Sequence, residues 1–181
     1  MQIYTETERL ILREIVEEDA EGMFLMNSDP EVMKYLGKVT NSQIADAVND
    51  IHAIRRQYID NGIGRWAMEE KSSGRFIGWT GLKLVREPTN GHTGFYDLGY
   101  RMIRAFWGKG FATESARAAL IYGFNVLKPD TIYGRAETGN HASLHVLKKC
   151  GLAYIETFEH DGVPHEWLSL SAKDWQQKQK S

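Results

Sequence analysis

The stretch with the clearest chemical content is Trp107-Gly108-Lys109-Gly110-Phe111-Ala112. An apolar, strand-like segment ends near Ile103, the two glycines make a turn, and an amphipathic helix follows with Ala112, Ala116, Leu120, Phe124 and Leu127 on one stripe. Glycines let backbone N–H groups approach a ligand where a Cβ would block them. A helix start aims unpaired N–H groups and a partial positive charge at the same point. Anion binding, above all of phosphate, is the chemistry this suits; the plain alternative is a tight turn that holds nothing. Two nucleotide motifs are excluded residue by residue. A triphosphate loop needs Ser or Thr after its Gly-Lys and another Gly upstream of the Lys, at the place of Arg104; here Gly110 follows Lys109. A dinucleotide fingerprint needs Gly or Ala where Thr113 stands.

The elements that must position this turn follow from periodicity. Glu8 to Ile15, with Leu10, Ile11, Leu12 and Ile15, reads as a first strand. Glu17-Glu18-Asp19 opposes the dipole of a helix that runs to about Ser28, and Asp29-Pro30 opens a short helix through Leu36. Asn41 or Ser42 caps a longer helix carrying Ile44, Val48, Ile51, Ile54 and Tyr58, which stops at Asn61-Gly62. Three strands follow, Arg65 to Glu70, Arg75 to Val85 and Gly94 to Met102, with links short enough for an antiparallel meander. The glycine-turn helix ends near Lys128, before Pro129. Thr131 to Thr138 alternates as a strand, and Asn140 caps a helix through Lys149 that Gly151 closes. Two last strands, Ala153 to Glu159 and Glu166 to Leu170, flank the hairpin signal Asp161-Gly162, and the polar segment 172–181 is expected to fray. The order β-α-α-β-β-β-α-β-α-β-β describes one α/β (α+β) domain over 1–181. It has a mixed, mostly antiparallel sheet of about seven strands flanked by helices, with parallel pairing where helices force crossovers.

Bulk properties narrow the function classes. The 181 residues suit a single domain, and the formal charge of −2 with dispersed Lys and Arg offers no basic face for nucleic acid. No apolar run approaches the roughly 18 residues of a membrane span, and the polar, acidic Met1 to Glu8 does not read as a signal peptide. The single Cys150 excludes an internal disulfide, fits a reducing compartment such as the cytoplasm, and reads as a small core residue. His141 and His145 have a zinc-compatible spacing but lack the metalloprotease Glu between them and any evident third ligand, so no metal site is expected.

These residues, in this order, resemble the GNAT superfamily of N-acetyltransferases and its RimJ/RimL-like branch. The superfamily's pyrophosphate signature, Gln/Arg-x-x-Gly-x-Gly/Ala, falls on Trp107 to Ala112. Gly110 and Ala112 match, and Trp107 replaces the Gln or Arg, in the Trp-Gly-x-Gly form this branch often carries. Further matches are Thr7-Glu8-Arg9-Leu10-Ile11-Leu12-Arg13, Asp29-Pro30-Glu31-Val32-Met33, Leu98-Gly99-Tyr100, Glu114, Asn140-x-x-Ser143 and Lys149-Cys150-Gly151-Leu152. The resemblance implies acetyl-CoA as cosubstrate, its pyrophosphate held along Trp107, Gly108, Lys109, Gly110, Phe111, Ala112 and Thr113, mainly by backbone N–H groups. The pantetheine arm would lie between the fourth and fifth strands, splayed at a bulge for which Gly99 is suited. Backbone groups of Met102 and Ile103, together with Asn140 and Ser143, would meet the arm; Asn140 equally suits a plain helix cap. A homodimer is the common assembly of the branch, C₂ symmetry being the commonest choice for soluble oligomers.

Acetyl transfer to an amine needs a neutral nucleophile, a stabilised oxyanion and a proton for the departing thiolate. An α-amine, with a reference pKa of about 8, needs less help from a base than a lysine amine at about 10.4. A backbone N–H near Met102 can meet the oxyanion. Many GNAT members place a Tyr seven residues after the Asn, where this chain has Leu147. That moves the acid to Ser143, with Tyr100 and Tyr133 as substitutes. Glu137 is the candidate base, with Glu159, His160 or a water chain as alternatives. The expected function is transfer of acetyl from acetyl-CoA to a protein or peptide N-terminal amine, by direct attack in a ternary complex. A small-molecule amine acetyltransferase is the alternative. A CoA-binding regulatory domain without transfer, argued by Leu147, is the third reading.

Overall fold

The computed structural model describes residues 1–37 and 40–179. Its sheet is eight-stranded, with β1 (Ile3–Glu6), β2 (Leu10–Arg13), β3 (Trp66–Glu70), β4 (Arg75–Val85), β5 (Phe95–Met102) and β6 (Thr131–Glu137) in spatial order, followed by β8 (Val163–Ser171) and then β7 (Ala153–His160) at the edge. Helices α1 (Ala20–Asn27), α2 (Pro30–Met33) and α3 (Ile44–Asn61) separate β2 from β3; α4 (Phe111–Tyr122) links β5 to β6, α5 (His141–Lys149) links β6 to β7, and α6 (Ala172–Gln179) follows β8. Every neighbouring pair is antiparallel except β5 and β6, which the α4 crossover makes parallel. The second crossover creates no parallel pair, because β8 inserts between β6 and β7.

Local sequence accounts for most of these elements. Gly62 takes a left-handed conformation (φ 69°) as the C-cap of α3, and Asp161 and Gly162 (φ 50° and 76°) turn β7 into β8 in two residues. In β6 the buried positions are Ile132, Gly134 and Ala136, one face of a period-two strand. Small residues Ala112, Ser115, Ala116 and Ala119 bring α4 close to the sheet. At the end of α4 a Cβ on Gly123 would lie 2.6 Å from Leu82 Cδ1. Buried Arg13 donates to both carboxylate oxygens of Asp19 at 2.8 Å and to Glu69 at 2.7 Å, tying the turn before α1 to β2 and β3.

Four expectations are corrected. The sheet has one strand more than the sequence shows, because β1 is too short for a legible alternation. It is held by tertiary packing of Tyr4, stacked on Trp66 at 4.7 Å, an arrangement worth about 0.5–1.5 kcal/mol beyond area burial. The cap of α3 is Gln43, not Asn41 or Ser42; the Asp46 carboxylate accepts from the Ser42 and Gln43 N–H groups, and Asn41 donates to Asp50 instead. The 172–179 part of the expected frayed tail is helix α6, with Trp175 stacked on Phe124 at 5.3 Å and Lys178 donating to Gly151 O at 2.8 Å; residues 180 and 181 lie outside the described residues. Gly99 forms no bulge. The β4–β5 ladder keeps register through the Gly81–Gly99 pair, and the missing Cβ at Gly99 makes room for the Arg65 guanidinium, which would otherwise lie 2.6 Å from it.

Candidate active site

The turn before α4 is built as the sequence suggests. Gly108 and Gly110 are both left-handed (φ 73° and 85°), a conformation that a residue with a Cβ takes at a cost. Gly110 is the N-cap of α4, and no side chain caps the helix. The first N–H bonded within the helix is that of Glu114, to Gly110 O at 3.0 Å, so the N–H groups of Phe111, Ala112 and Thr113 are left for an anion. The side chains here are spent elsewhere. Phe111 is buried under the Arg9 guanidinium at 4.2 Å, the Lys109 ammonium lies 5.2 Å over the Phe106 ring, and Trp107 Nε1 donates to Met102 O at 3.0 Å. Thr113 O accepts from the Cys150 thiol. The turn is braced from β2's approach: Arg9 Nη1 donates to Lys109 O at 2.9 Å and its Nε to Glu114 at 2.7 Å, while Thr7 Oγ1 donates to the same carboxylate at 2.6 Å. Arg9 and Glu114 stand in motifs the sequence displays, but their pairing across 105 residues is visible only in the fold.

Next to the turn, β5 and β6 pair only at Tyr96–Ile132 and Asp97–Tyr133 and then diverge. Ile103 N–H donates to Ile77 O and Ile103 O accepts from Phe106 N–H, so the Ile103 N–H is spent on β4 and does not face the gap. By the alternation of an antiparallel ladder, the N–H and C=O groups of Tyr100 and Met102 then point toward β6, into the gap. The gap is the divergence expected of Gly99's bulge, produced without one.

Two cavities meet across it. The first, about 420 Å³, is lined by Met102, Trp107, Gly108, Ala112, Asn140 and Ser143 among others. The second, about 560 Å³, is lined by Trp79, Gly99, Arg135, Glu137, His160 and His165 among others. Tyr35, Leu36, Tyr100, Asn140 and Ser143 border both. At this junction the Tyr100 hydroxyl donates to Ser143 O at 2.7 Å and lies 3.2 Å from Ser143 Oγ, which can then donate to it. Burial raises the Tyr100 phenol well above its ordinary range, so it stays protonated. Asn140 Oδ1 accepts from Ser143 N–H at 3.1 Å, which makes Asn140 the cap of α5 and fixes where Ser143 sits. Tyr133 is elsewhere, packed with His92, Phe95 and Trp167. Leu147 is buried against β6, where a Cβ on Gly134 would lie 2.8 Å from it; it occupies core space.

The charge in the second cavity is unevenly paired. Buried Arg65 donates to the Asp97 carboxylate at 2.5 Å and to Asp97 O at 2.7 Å, with Trp79 stacked 5.3 Å from the guanidinium. Glu137 stands directly across the β6–β8 ladder from His165. The His165 Nδ1 lies 2.9 Å from Val163 O; a carbonyl only accepts, so Nδ1 carries the hydrogen and Nε2 is the basic nitrogen. Burial, with help from the charge of Arg135, holds the His160 pKa below its ordinary value. Among the described residues, no group of three or more His, Cys, Asp and Glu could hold a metal, and no helix is long and apolar enough to cross a membrane.

An uncapped glycine-turn helix start, a parallel strand pair that opens beside it, and a cavity on either side of the opening form the arrangement whose sequence resemblance was noted. The acetyltransferase (GNAT) domain family matches residues 9–153. The chain belongs to the GNAT acetyltransferase family. It is 31% identical to the uncharacterized N-acetyltransferase YoaA of Bacillus subtilis, over 90% of this chain and 86% of that one. It is 30% identical to the FsC-acetyl coenzyme A-N(2)-transacetylase of Aspergillus fumigatus, over 96% and 78%. Among solved structures it resembles a GNAT-family acetyltransferase from Bacillus anthracis, with a TM-score of 0.78 at 22% identity over 96% of this chain and 99% of that one. It also resembles the spermidine N-acetyltransferase of Vibrio cholerae in complex with CoA and spermine, with a TM-score of 0.74 at 19% identity over 94% and 99%. The protein is thus an acetyl-CoA-dependent GNAT N-acetyltransferase.

For this GNAT chain, the residues the sequence could not supply are Arg65, Asp97, Arg135 and His165. Arg65, just before β3, and Asp97 of β5 meet only when those segments fold onto one face. Arg135 and His165 sit in alternating strands whose outward face would ordinarily be solvated, and only the cavity lined by β5, β6, α5 and the β7–β8 hairpin brings both into one wall.

Proposed function

We propose that the protein acetylates a primary amine bound in the second cavity, with acetyl-CoA in the first and the reaction at their junction. The reading is carried by one observation: the Tyr100–Ser143 hydroxyl pair borders both cavities at the opening between β5 and β6. Acetyl-CoA would lay its pyrophosphate on the N–H groups of residues 108–113 and its arm along Tyr100 and Met102. Met102 N–H is then in place for the developing oxyanion. Glu137, or His165 Nε2 across from it, accepts the proton that the amine must lose. Ser143, turning its one proton from Tyr100 to the sulfur, donates to the departing thiolate. Direct attack needs no covalent enzyme intermediate, and the one cysteine, Cys150, is buried and held by burial as a thiol. A regulatory role without transfer is not favoured, because the Tyr100 and Ser143 hydroxyls at the junction can take the part of the Tyr that Leu147 displaces.

The RimJ/RimL-like assignment and a cytoplasmic setting remain part of this reading, supported by the Thr7 to Arg13 and Asn140-x-x-Ser143 motifs and by the single cysteine. The test is release of free thiol from acetyl-CoA across a panel of peptides and small amines. Turnover with at least one amine is expected. Silence across the panel, with acetyl-CoA binding intact by calorimetry, would overturn catalysis.

A further inference from the structure

The second cavity contains a charge that the protein leaves uncompensated. Arg135 lines this cavity, and its Nη1 is inaccessible to solvent and lacks any hydrogen-bond partner among the described residues. No carboxylate among those residues lies within ion-pair distance of it, unlike Arg65 in the same wall, which Asp97 neutralises. Glu87 senses the Arg135 charge, but it sits exposed in the loop between β4 and β5. A guanidinium stays charged at neutral pH, and leaving a half-buried one without a hydrogen bond at its closed-off Nη1 carries a cost. An anion arriving with the ligand removes that cost.

The neighbouring residue types say what else the ligand carries. Glu137 is two residues further along the same face of β6, roughly 6.6 Å away at about 3.3 Å per residue, and nearer to Asn140 and the junction. One face of one strand therefore presents a cation, then a carboxylate, in the direction of the reacting centre. That is the complement of a molecule with an anion and an amine a few bonds apart. A polyamine, all cation, would meet Arg135 as a like charge. The amide of an internal peptide bond would leave the guanidinium unpaired.

Resting on the acetyl-transfer reading above, we propose that the acceptor is a small amine that bears a carboxylate close to its nucleophilic nitrogen, an amino acid or near relative. Arg135 binds the carboxylate and so sets specificity, while Glu137 faces the amine. The bonds change as in any such transfer: the amine nitrogen bonds to the acetyl carbon, the carbon–sulfur bond breaks, one amine proton leaves to Glu137 and the thiolate gains one.

The experiment is thiol-release kinetics on the full chain. The probes are amino acids, each paired with its carboxamide and its decarboxylated amine, together with spermidine and an uncharged-side-chain tetrapeptide. At least one acid is expected to exceed its amide tenfold or more in kcat/KM. Arg135→Gln should bring that ratio to within about twofold of one, through KM, while Arg135→Lys keeps part of it because charge survives without the bidentate fork. Acetyl-CoA affinity by calorimetry verifies that each variant is folded. Spermidine, the tetrapeptide or the amides turning over as well as the acids would overturn the assignment and leave acetyl transfer standing. An acid preference unchanged in Arg135→Gln would overturn the role of Arg135. Absence of turnover with every amine would remove both this inference and the transfer reading.

Discussion

The anion site at the start of α4 can be tested by one charge at one position. Gly110 is left-handed (φ 85°), and a Cβ there would meet only Arg9 Nη2, at 3.4 Å. Asn and Asp tolerate this conformation better than other residues with a Cβ and share a shape, so Gly110→Asn and Gly110→Asp carry the same strain of about 1 kcal/mol and differ by one charge. A carboxylate about 6 Å from a bound phosphate charge is repelled by about 0.7 kcal/mol at an effective dielectric constant of 80 and about 2.8 kcal/mol at 20. The acetyl-CoA dissociation constant of Gly110→Asp should therefore exceed that of Gly110→Asn by about threefold to a hundredfold. Arg9, already paired with Glu114, can partly neutralise the new carboxylate, which places the effect toward the lower end. Titration calorimetry at low salt measures it. Raising ionic strength from 0.05 to 0.5 M shortens the Debye length from about 14 Å to about 4 Å and should shrink the difference. Equal affinities of the two variants at low salt would refute a phosphate on this turn, whatever either variant did relative to the parent.

Other expectations follow from the same geometry. Ser143→Ala should lower kcat by about tenfold or more, with acetyl-CoA affinity within twofold; an unchanged kcat would retire Ser143 as the acid. Asp97→Asn leaves the buried Arg65 without its counter-charge and should cost about 3–5 kcal/mol in a urea titration, against well under 1 kcal/mol if the pair were effectively solvated. Gly134→Ala drives a methyl to 2.8 Å from Leu147 and 2.9 Å from Leu152, and should lower stability by about 1–3 kcal/mol. A neutral effect would show that α5 can move away from β6. Burial pushes the Cys150 thiol from 9.0 to about 11, so iodoacetamide at pH 8 should label it far more slowly in buffer than in urea. The same shift has a sign in stability: the folded thiol holds its proton more tightly, so its contribution is full below pH 9 and is lost as pH rises from there toward 11, a decline Cys150→Ala should lessen.

Much was legible in the chain because it depends on neighbours in sequence. The strand–turn–helix at Trp107 to Ala112, the Gly62 and Asp161-Gly162 turns and the Asn140 cap are each determined by backbone conformation or a bond across three or four residues. The parallel β5–β6 pair followed from one helix lying between two strands. Short or polar segments were not legible. β1 and α6 are held by Tyr4 on Trp66 and Trp175 on Phe124, contacts between residues far apart in the chain.

The division is sharpest at the site itself. The anion turn is a property of consecutive residues, since two glycines and a helix start create its N–H groups wherever the chain goes. Which backbone groups remain free was decided by ladder register, which spends the Ile103 N–H on β4 and turns the Tyr100 groups and the Met102 N–H into the gap, Met102 O being taken by Trp107 Nε1. Which charges remain unpaired was decided the same way, since Arg65 and Arg135 are alike in sequence and differ only because β5 brings Asp97 to one of them. Local conformation is an energy of adjacent residues and can be read in order. Pairing is an energy of proximity, and only the packed sheet sets who is near whom.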